Sequence, residues 1–329
     1  MHIHGFRTKF VPGCIAVALC VYSHGAAADS FTSFDAPGAR NTLAYCINGA
    51  GAIAGSYQDD NFVFHGFVRT ADGTIAEFDP QGSVQTGAVG INSRGSVTGS
   101  YAFNGGEDSY VRAADGTITS FNVTTAIAIN KKGSIAGSNA DGNFTHGFVR
   151  DAEGTITFFD PTGSTETFAN SINNKGSVSG YFRDSGSTLH GFVRAAAGTI
   201  TTFDVTVAGV DTGTLPMSIN NKGSITGYTQ DASLNRHGFV RARDGTITIF
   251  DPSGSSDTEA LSISAKGSIT GFYTVGNSSH GFVRAPDGTI MTFDPPGSTS
   301  TGALSINKRG LITGYYSDGH MLHGFVRTP

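Results

Sequence analysis

Six histidines of this chain recur in one setting. HGFVRTADGTIAEFDP at 65–80 returns as HGFVRDAEGTITFFDP at 146, HGFVRAAAGTITTFDV at 190, HGFVRARDGTITIFDP at 237 and HGFVRAPDGTIMTFDP at 280, and HGFVRTP follows at 323. Wherever the motif is uninterrupted, an aspartate follows its histidine by 14 residues, as Asp79 follows His65. An imidazole beside a carboxylate is the elementary kit of general acid–base catalysis, the carboxylate fixing the tautomer. A catalytic dyad is needed once, however, and this pair is repeated along the chain. Such repetition fits a latch that pins a hairpin end. The second copy breaks the rule: its histidine is Asp108 and the residue 14 later is Asn122, a joint change expected of side chains in contact.

The elements that must hold these pairs follow from the spacing. Phe-Asp or Phe-Asn recurs at Asp35, Asp79, Asn122, Asp160, Asp204, Asp251 and Asp294, seven copies about 43 residues apart. Each carries four runs rich in β-branched and aromatic residues, which in the first copy are LAYCIN, AIAGSY, FHGFVR and TIAEFD. Asp72-Gly73 joins the third run to the fourth and predicts a two-residue type I′ hairpin, with Gly66 opposite Asp79 and Phe67 opposite Phe78. Asn-x-x-Gly, as in Asn173-Asn174-Lys175-Gly176, joins the first to the second, with Asn in an Asx turn and Gly in the left-handed position. Four strands in each such period predict an all-β fold, a seven-bladed β-propeller of four-stranded antiparallel blades. The last copy has three runs and no fourth, whereas SFTSFD at 30–35 is a fourth run with no preceding three. Residues 30–35 are therefore expected to complete the last blade and close the ring.

The pattern His-small-Phe-aliphatic, then Asp-Gly, Phe-Asp-Pro-x-Gly, Ser-Ile-Asn-x-x-Gly and Gly-Tyr resembles the bacterial extracellular HAF repeat family, named for its His-Ala-Phe signature. The likeness covers essentially the whole chain beyond residue 28. Every His-bearing copy has Gly in place of that Ala, as in His65-Gly66-Phe67. What the resemblance implies is architecture and export rather than a reaction.

Repetition also assigns Arg69 and its counterparts, at the other hairpin end, to backbone carbonyls or turn carboxylates, and strand glycines such as Gly55 to close blade packing. Function is expected where the copies differ. From the acid or amide of the Phe-Asp pair to the Asn or Ser ending the next first strand, five copies count 13 residues, the third 8 and the fifth 16. These lengths predict a low notch beside blades two and three and a raised lip at blade five. A notch exposing Tyr101, Glu107, Asp108 and Asn122 would make these the ligand-binding residues. If the chain is an enzyme, His320 with Asp318 is the acid–base candidate, since His320 is the one histidine beyond residue 28 outside the motif. Asp59, Asp60, Asp141, Asp184, Asp231 and Asp318 offer weak Ca²⁺ binding at most, because none has EF-hand spacing; no metal site is assigned.

Residues 1–28 read as a secretory signal peptide: Arg7 and Lys9, an apolar run from Phe10 to Tyr22 too short for a membrane span, then Ala26-Ala27-Ala28. Residues 29–329 are then one secreted or periplasmic domain. Leu19 precedes Cys20 where a lipoprotein would need a small residue. Cys14 and Cys20 leave with the signal, so Cys46 is unpaired; it stands where other copies have Ser171, Ser218 and Ser305 and is read as a core residue. The formal charge is −5, and loss of Arg7 and Lys9 makes it −7, which argues against nucleic acid and against an anionic membrane surface. No G-x-S-x-G, H-E-x-x-H, C-x-x-C or G-x-x-x-x-G-K occurs. The expected protein is a monomeric binding module without a cofactor, taking polysaccharide or an extracellular protein on its loop-rich face. The alternative is a glycoside hydrolase or polysaccharide lyase at the channel mouth.

Overall fold

The structure, a computed structural model, describes residues 29–209 and 213–329. No helix occurs among them; the strands are numbered in chain order from β1 (Ser30–Phe34) to β28 (Leu322–Thr328). Antiparallel pairing joins β2 (Asn41–Ile47), β3 (Ile53–Gln58), β4 (Phe64–Arg69) and β5 (Ile75–Phe78) into a four-stranded meander, and the same grouping recurs as far as β22–β25. The last three strands, β26 (Ser300–Ile306), β27 (Ile312–Ser317) and β28, take β1 as their fourth. β1 pairs along its whole length, from Ser30 opposite Thr328 to Phe34 opposite Gly324.

The outer hairpins correct one expectation. Gly73 N donates to the Thr70 carbonyl at 3.0 Å and Thr70 N to the Thr74 carbonyl at 2.8 Å, and of the turn residues only Gly73 has a positive φ, at 101°. This is a type I turn closed by a left-handed glycine, a three-residue loop rather than a two-residue type I′ one. The extra residue slides the ladder by one, so Gly66 faces Phe78 and Phe67 faces Glu77. The new register brings His65 and Asp79, the next residues out, directly across from each other. It also lays the Phe78 ring on Gly66: a Cβ there would stand 2.8 Å from the ring, which leaves no room for alanine.

Asparagines at the first-to-second turns tie meander to meander. Asn173 Oδ1 accepts from Lys175 N and Ser177 N, both at 3.0 Å, making the expected Asx turn. Its Nδ2 reaches outward and donates to the Asn220 carbonyl at 3.1 Å. Asn48 does the same to Asn92, Asn92 to Asn130, Asn130 to Asn173, Asn220 to the Ser264 carbonyl, and Asn307 to Asn48, at 2.9 to 3.2 Å. Ser264 interrupts this belt. Its hydroxyl caps its own turn through Ser268 N, but serine has no second arm to reach Asn307. One layer up, the hydroxyls of Ser171, Ser218, Ser262 and Ser305 accept from Ile219, Ile263, Ile306 and Ile47 N. Cys46 takes the same place and accepts from Ile91, and burial pushes its thiol upward, as suits a core residue rather than a nucleophile.

Aromatic packing supplies the apolar half of each junction. The Phe of every Phe-Asp pair meets the fully buried aromatic of the next meander's third strand edge-on, from Phe34–Phe67 and Phe78–Tyr110 to Phe293–Phe325, with centroids 5.7 to 6.5 Å apart. The first and second strands approach closely because the second carries glycine opposite a bulge in the first. At Gly55 a Cβ would fall 2.2 Å from the Leu43 carbonyl.

The belt generates a pair of opposite outcomes in urea unfolding. Asn173→Ala, which leaves the buried Asn220 carbonyl and its own turn without their partner, should cost about 1–3 kcal/mol. Ser264→Asn, which restores the missing arm toward Asn307, should add about 0.5–1.5 kcal/mol. A loss of stability in Ser264→Asn would contradict the belt.

Candidate functional site

All six motif histidines hydrogen-bond an aspartate through Nδ1, at 2.6 to 2.9 Å. Five pairs are the 14-residue ones; the sixth joins His323 to Asp35, at opposite ends of the chain. The aspartate often grips the next meander as well. Thr86 Oγ1 donates to Asp79, Thr167 to Asp160 and Thr301 to Asp294, at 2.5 to 2.7 Å. A second carboxylate stands on the far side of several rings: Asp59, Asp184, Asp231 and Asp318 lie 3.4 to 3.8 Å from the Nε2 atoms of His65, His190, His237 and His323. These loop aspartates also cap their own turns, Asp184 accepting from Gly186 N and Thr188 N. Carboxylates on both sides of a ring tie the loop to the outer strand, most directly at His190, whose Nε2 is hydrogen-bonded to Asp184 at 3.4 Å.

The copy that lacks histidine is different. Asp108 lies across from Tyr101 in the second meander, and no hydrogen bond or ion pair joins it to the exposed Asn122 among the described residues. The inferred contact between the two is therefore corrected: aspartate is shorter than histidine and stops short of the outer strand. Beside this gap is a cleft of about 290 Å³, bordered by Tyr45, Gln85, Ser100, Tyr101, Glu107 and Thr125. The short 122–130 connection brings Thr124 and Thr125 to its wall. Of the four notch residues, Tyr101 and Glu107 border the cleft and Asp108 and Asn122 do not. Glu107 is exposed, but Tyr101 is only 8% exposed, its hydroxyl tied to Ser120 Oγ at 3.0 Å. The expected exposure of Tyr101 is corrected, because a strand residue facing the Tyr110 side packs into the core. The raised lip falls in 204–220, of which residues 210–212 lie outside the described residues.

His320 and Asp318 do not form a side-chain pair. Asp318 Oδ1 accepts from the backbone N–H groups of His320 and Met321, at 2.8 and 2.9 Å, while Oδ2 faces His323 Nε2 at 3.4 Å. Those backbone donors, chiefly, and then His323 hold the Asp318 carboxyl down at about 2. His320 sits exposed at the loop tip, and the carboxylate that would orient it serves another ring.

The arginines go beyond their expected role. Arg69, Arg112, Arg150, Arg194, Arg241 and Arg284 donate to the next residue's carbonyl at 3.3 to 3.4 Å. Their guanidiniums, with that of Arg327, also lie 4.6 to 4.9 Å over the Phe of the preceding Phe-Asp pair. Arg327 departs from the rest by pairing with Asp29 at 2.6 Å. Recurrence of Arg and Phe with the same period, 38 to 47 residues, was the available sequence signal, but only the packing of one meander on the next makes it a contact.

No protein-family model matches the chain, and no curated protein does. Solved structures do: a catalytically inactive virginiamycin B lyase from Staphylococcus aureus with quinupristin superimposes with a TM-score of 0.62 at 14% identity, covering 92% of this chain and 99% of that one. The β-propeller domain of the trilobed protease from Pyrococcus furiosus, described as having an open velcro topology, matches with a TM-score of 0.58 at 9% identity over 88% and 94%. Puromycin hydrolase matches at 0.59 and 11% identity, over 90% of this chain and 54% of its own. At such identities the likeness establishes the fold alone, and the fold is a β-propeller.

The latch carries a pH signature. Burial alone would lower His190, His237 and His323, but the hydrogen bonds and charges of their aspartates outweigh it and hold all three above the ordinary histidine value. A raised histidine stabilises the fold below its unfolded value near 6.5, and the gain is lost as pH rises through the raised one. Asp184, Asp231 and Asp318 are held low, chiefly by backbone N–H donors at 184 and 318 and by the Asn235 side chain at 231, so their gain is lost only in strong acid. The melting temperature should therefore fall between about pH 6 and pH 8.5, and the triple variant His190→Asn/His237→Asn/His323→Asn should flatten that fall when followed by circular dichroism.

Proposed function

We propose that this chain is an exported seven-bladed propeller, closed into a ring by β1, that binds a carbohydrate chain in the cleft of its loop-bearing face. The seven-fold reading rests on the seven meanders and their interlocking junctions. Closure is supported by β1 on β28, by His323 on Asp35, by Arg327 on Asp29 and by Asn307 on Asn48. Export rests on residues 1–28, which lie outside the described residues.

The observation that carries the binding reading is the chemistry of the cleft wall. Hydroxyls and amides of Gln85, Ser100, Thr124 and Thr125 stand beside the ring of Tyr45, with the mostly buried Tyr101 at the floor. Hydroxyl-rich ligands are recognised by such a mixture of neutral hydrogen-bonding groups and aromatic surface. An extracellular polysaccharide, free or carried on a protein, is the ligand class that fits.

The enzyme reading is favoured by Glu107, the one carboxylate bordering the cleft, and by the presence of enzymes among the structural neighbours. Glycoside hydrolysis ordinarily uses two carboxylates flanking the bond, and a second is missing from the wall. Binding is therefore the conclusion.

Two experiments test these statements. The protein is incubated with a panel of neutral polysaccharides, and both retention and the release of reducing ends or unsaturated products are followed. Retention without products is expected, weakened at least about tenfold by Thr125→Arg, which fills the cleft. Products that vanish in Glu107→Gln would replace binding by turnover. For closure, deletion of residues 29–35 removes β1 together with Asp29 and Asp35 and should lower the melting temperature by several degrees, roughly in line with a loss of a few kcal/mol. An unchanged melting temperature would leave the ring open.

A further inference from the structure

All six lysines among the described residues stand in one kind of place. Lys131, Lys132, Lys175, Lys222, Lys266 and Lys308 occupy the two positions between the belt residue and the glycine of the first-to-second turns. Arg94 occupies such a position in a further turn, and Arg309 sits beside Lys308 in the same one. All eight are exposed. The ion pairs of the described residues use histidines, Arg183, Arg236 and Arg327, so none of the eight has a carboxylate within 4 Å. In a chain of net charge −5, this is a concentrated and uncompensated positive ring.

The turns surround an opening of about 220 Å³ lined by the belt asparagines, with Lys131, Asn174 and Asn221 at its rim. Their backbones are held in place. Lys131 N donates to Asn174 Oδ1 at 2.8 Å and Asn174 N to Asn221 Oδ1 at 2.9 Å, while Asn173 and its equivalents cap the turns from inside. These bonds consume carbonyl oxygens and backbone N–H groups. They leave the ammonium groups and the Nδ2 donors of Asn174 and Asn221 to a ligand, apart from a long 3.4 Å contact of Lys222 Nζ with the Lys266 carbonyl. Even the turn without a cation is covered, since Arg309 Nη2 donates to the Ala50 carbonyl at 2.6 Å.

We propose that this collar is a binding site for a linear anionic polysaccharide, distinct from the cleft beside Tyr45 and Glu107 and independent of it. Point-charge ammoniums spaced around a ring meet carboxylates, and the amides of Asn174 and Asn221 with the Ser93 hydroxyl meet sugar hydroxyls. The ligand has to be narrow. Outside the collar the third-to-fourth turns carry Asp72, Asp115, Asp244 and Asp287, which would repel a broad polyanion laid across the whole face. That geometry selects against duplex nucleic acid, whose phosphates would reach the acidic rim.

The test uses the full chain and polygalacturonate as the probe, with dextran and duplex DNA for comparison, followed by affinity electrophoresis at about 50 and 500 mM sodium chloride. Polygalacturonate should bind at low salt, lose most of its affinity at high salt, and bind at least about tenfold more weakly to Lys131→Gln/Lys175→Gln/Lys222→Gln/Lys308→Gln. The matching four-arginine variant should keep wild-type binding, and the melting temperature should show both variants folded. The proposal is overturned if polygalacturonate binds no better than dextran, if the glutamine variant binds as the wild type does, or if DNA binds more tightly than polygalacturonate at equal salt.

Discussion

Asn173 meets two demands with one amide. Its oxygen satisfies the backbone N–H groups of its own turn, and its nitrogen satisfies a carbonyl of the next turn along. Buried backbone groups must be paired, and Asn173 is buried. Repeated through the chain, this double bond sets both the shape of each turn and its height against the neighbouring one. Everything further out inherits that placement: the serine relay one layer up, the Phe–aromatic contacts beyond it, and the arginine that lies over each Phe. Ser264 shows the same logic by exception, since a hydroxyl retains the cap and loses the bridge.

The latch residues illustrate how a group suited to chemistry is spent on structure. His190 has carboxylates at both ring nitrogens, Asp204 at 2.8 Å and Asp184 at 3.4 Å, so the outer strand and the adjoining loop are held by one side chain. The second copy, where the histidine is replaced by Asp108, has no such latch. There the shortened 122–130 connection brings Thr124 and Thr125 to a cleft walled by hydroxyls, an amide, Tyr45 and the Glu107 carboxylate.

Charge is sorted by the same architecture. Asp59, Asp184 and Asp231 cap the turns where the second and third strands join, and Asp72, Asp115, Asp244 and Asp287 cap the third-to-fourth turns at the other end. Lysines gather at that other end too, because the two turn positions between Asn and Gly point outward and carry no packing duty. A negative net charge therefore coexists with a cluster of exposed cations at the first-to-second turns.

Local chemistry was legible in the residues themselves. The period, the four strands per copy, the Asx turns at Asn-x-x-Gly and the five His–Asp pairs 14 residues apart all involve contacts within one short stretch of chain, where turn chemistry and alternation leave few options. Tertiary structure alone decided the rest. Hairpin register depended on whether Asp72 or only Gly73 took a positive φ, and the register found is the one that lays the Phe78 ring on Gly66. Pairing of His323 with Asp35, the reach of Asn173 to Asn220, the seat of each arginine on a distant Phe and the burial of Tyr101 all join residues that only the packing of meander against meander makes neighbours. No local preference encodes such contacts, because their free energy comes from surfaces that do not exist until the strands have assembled.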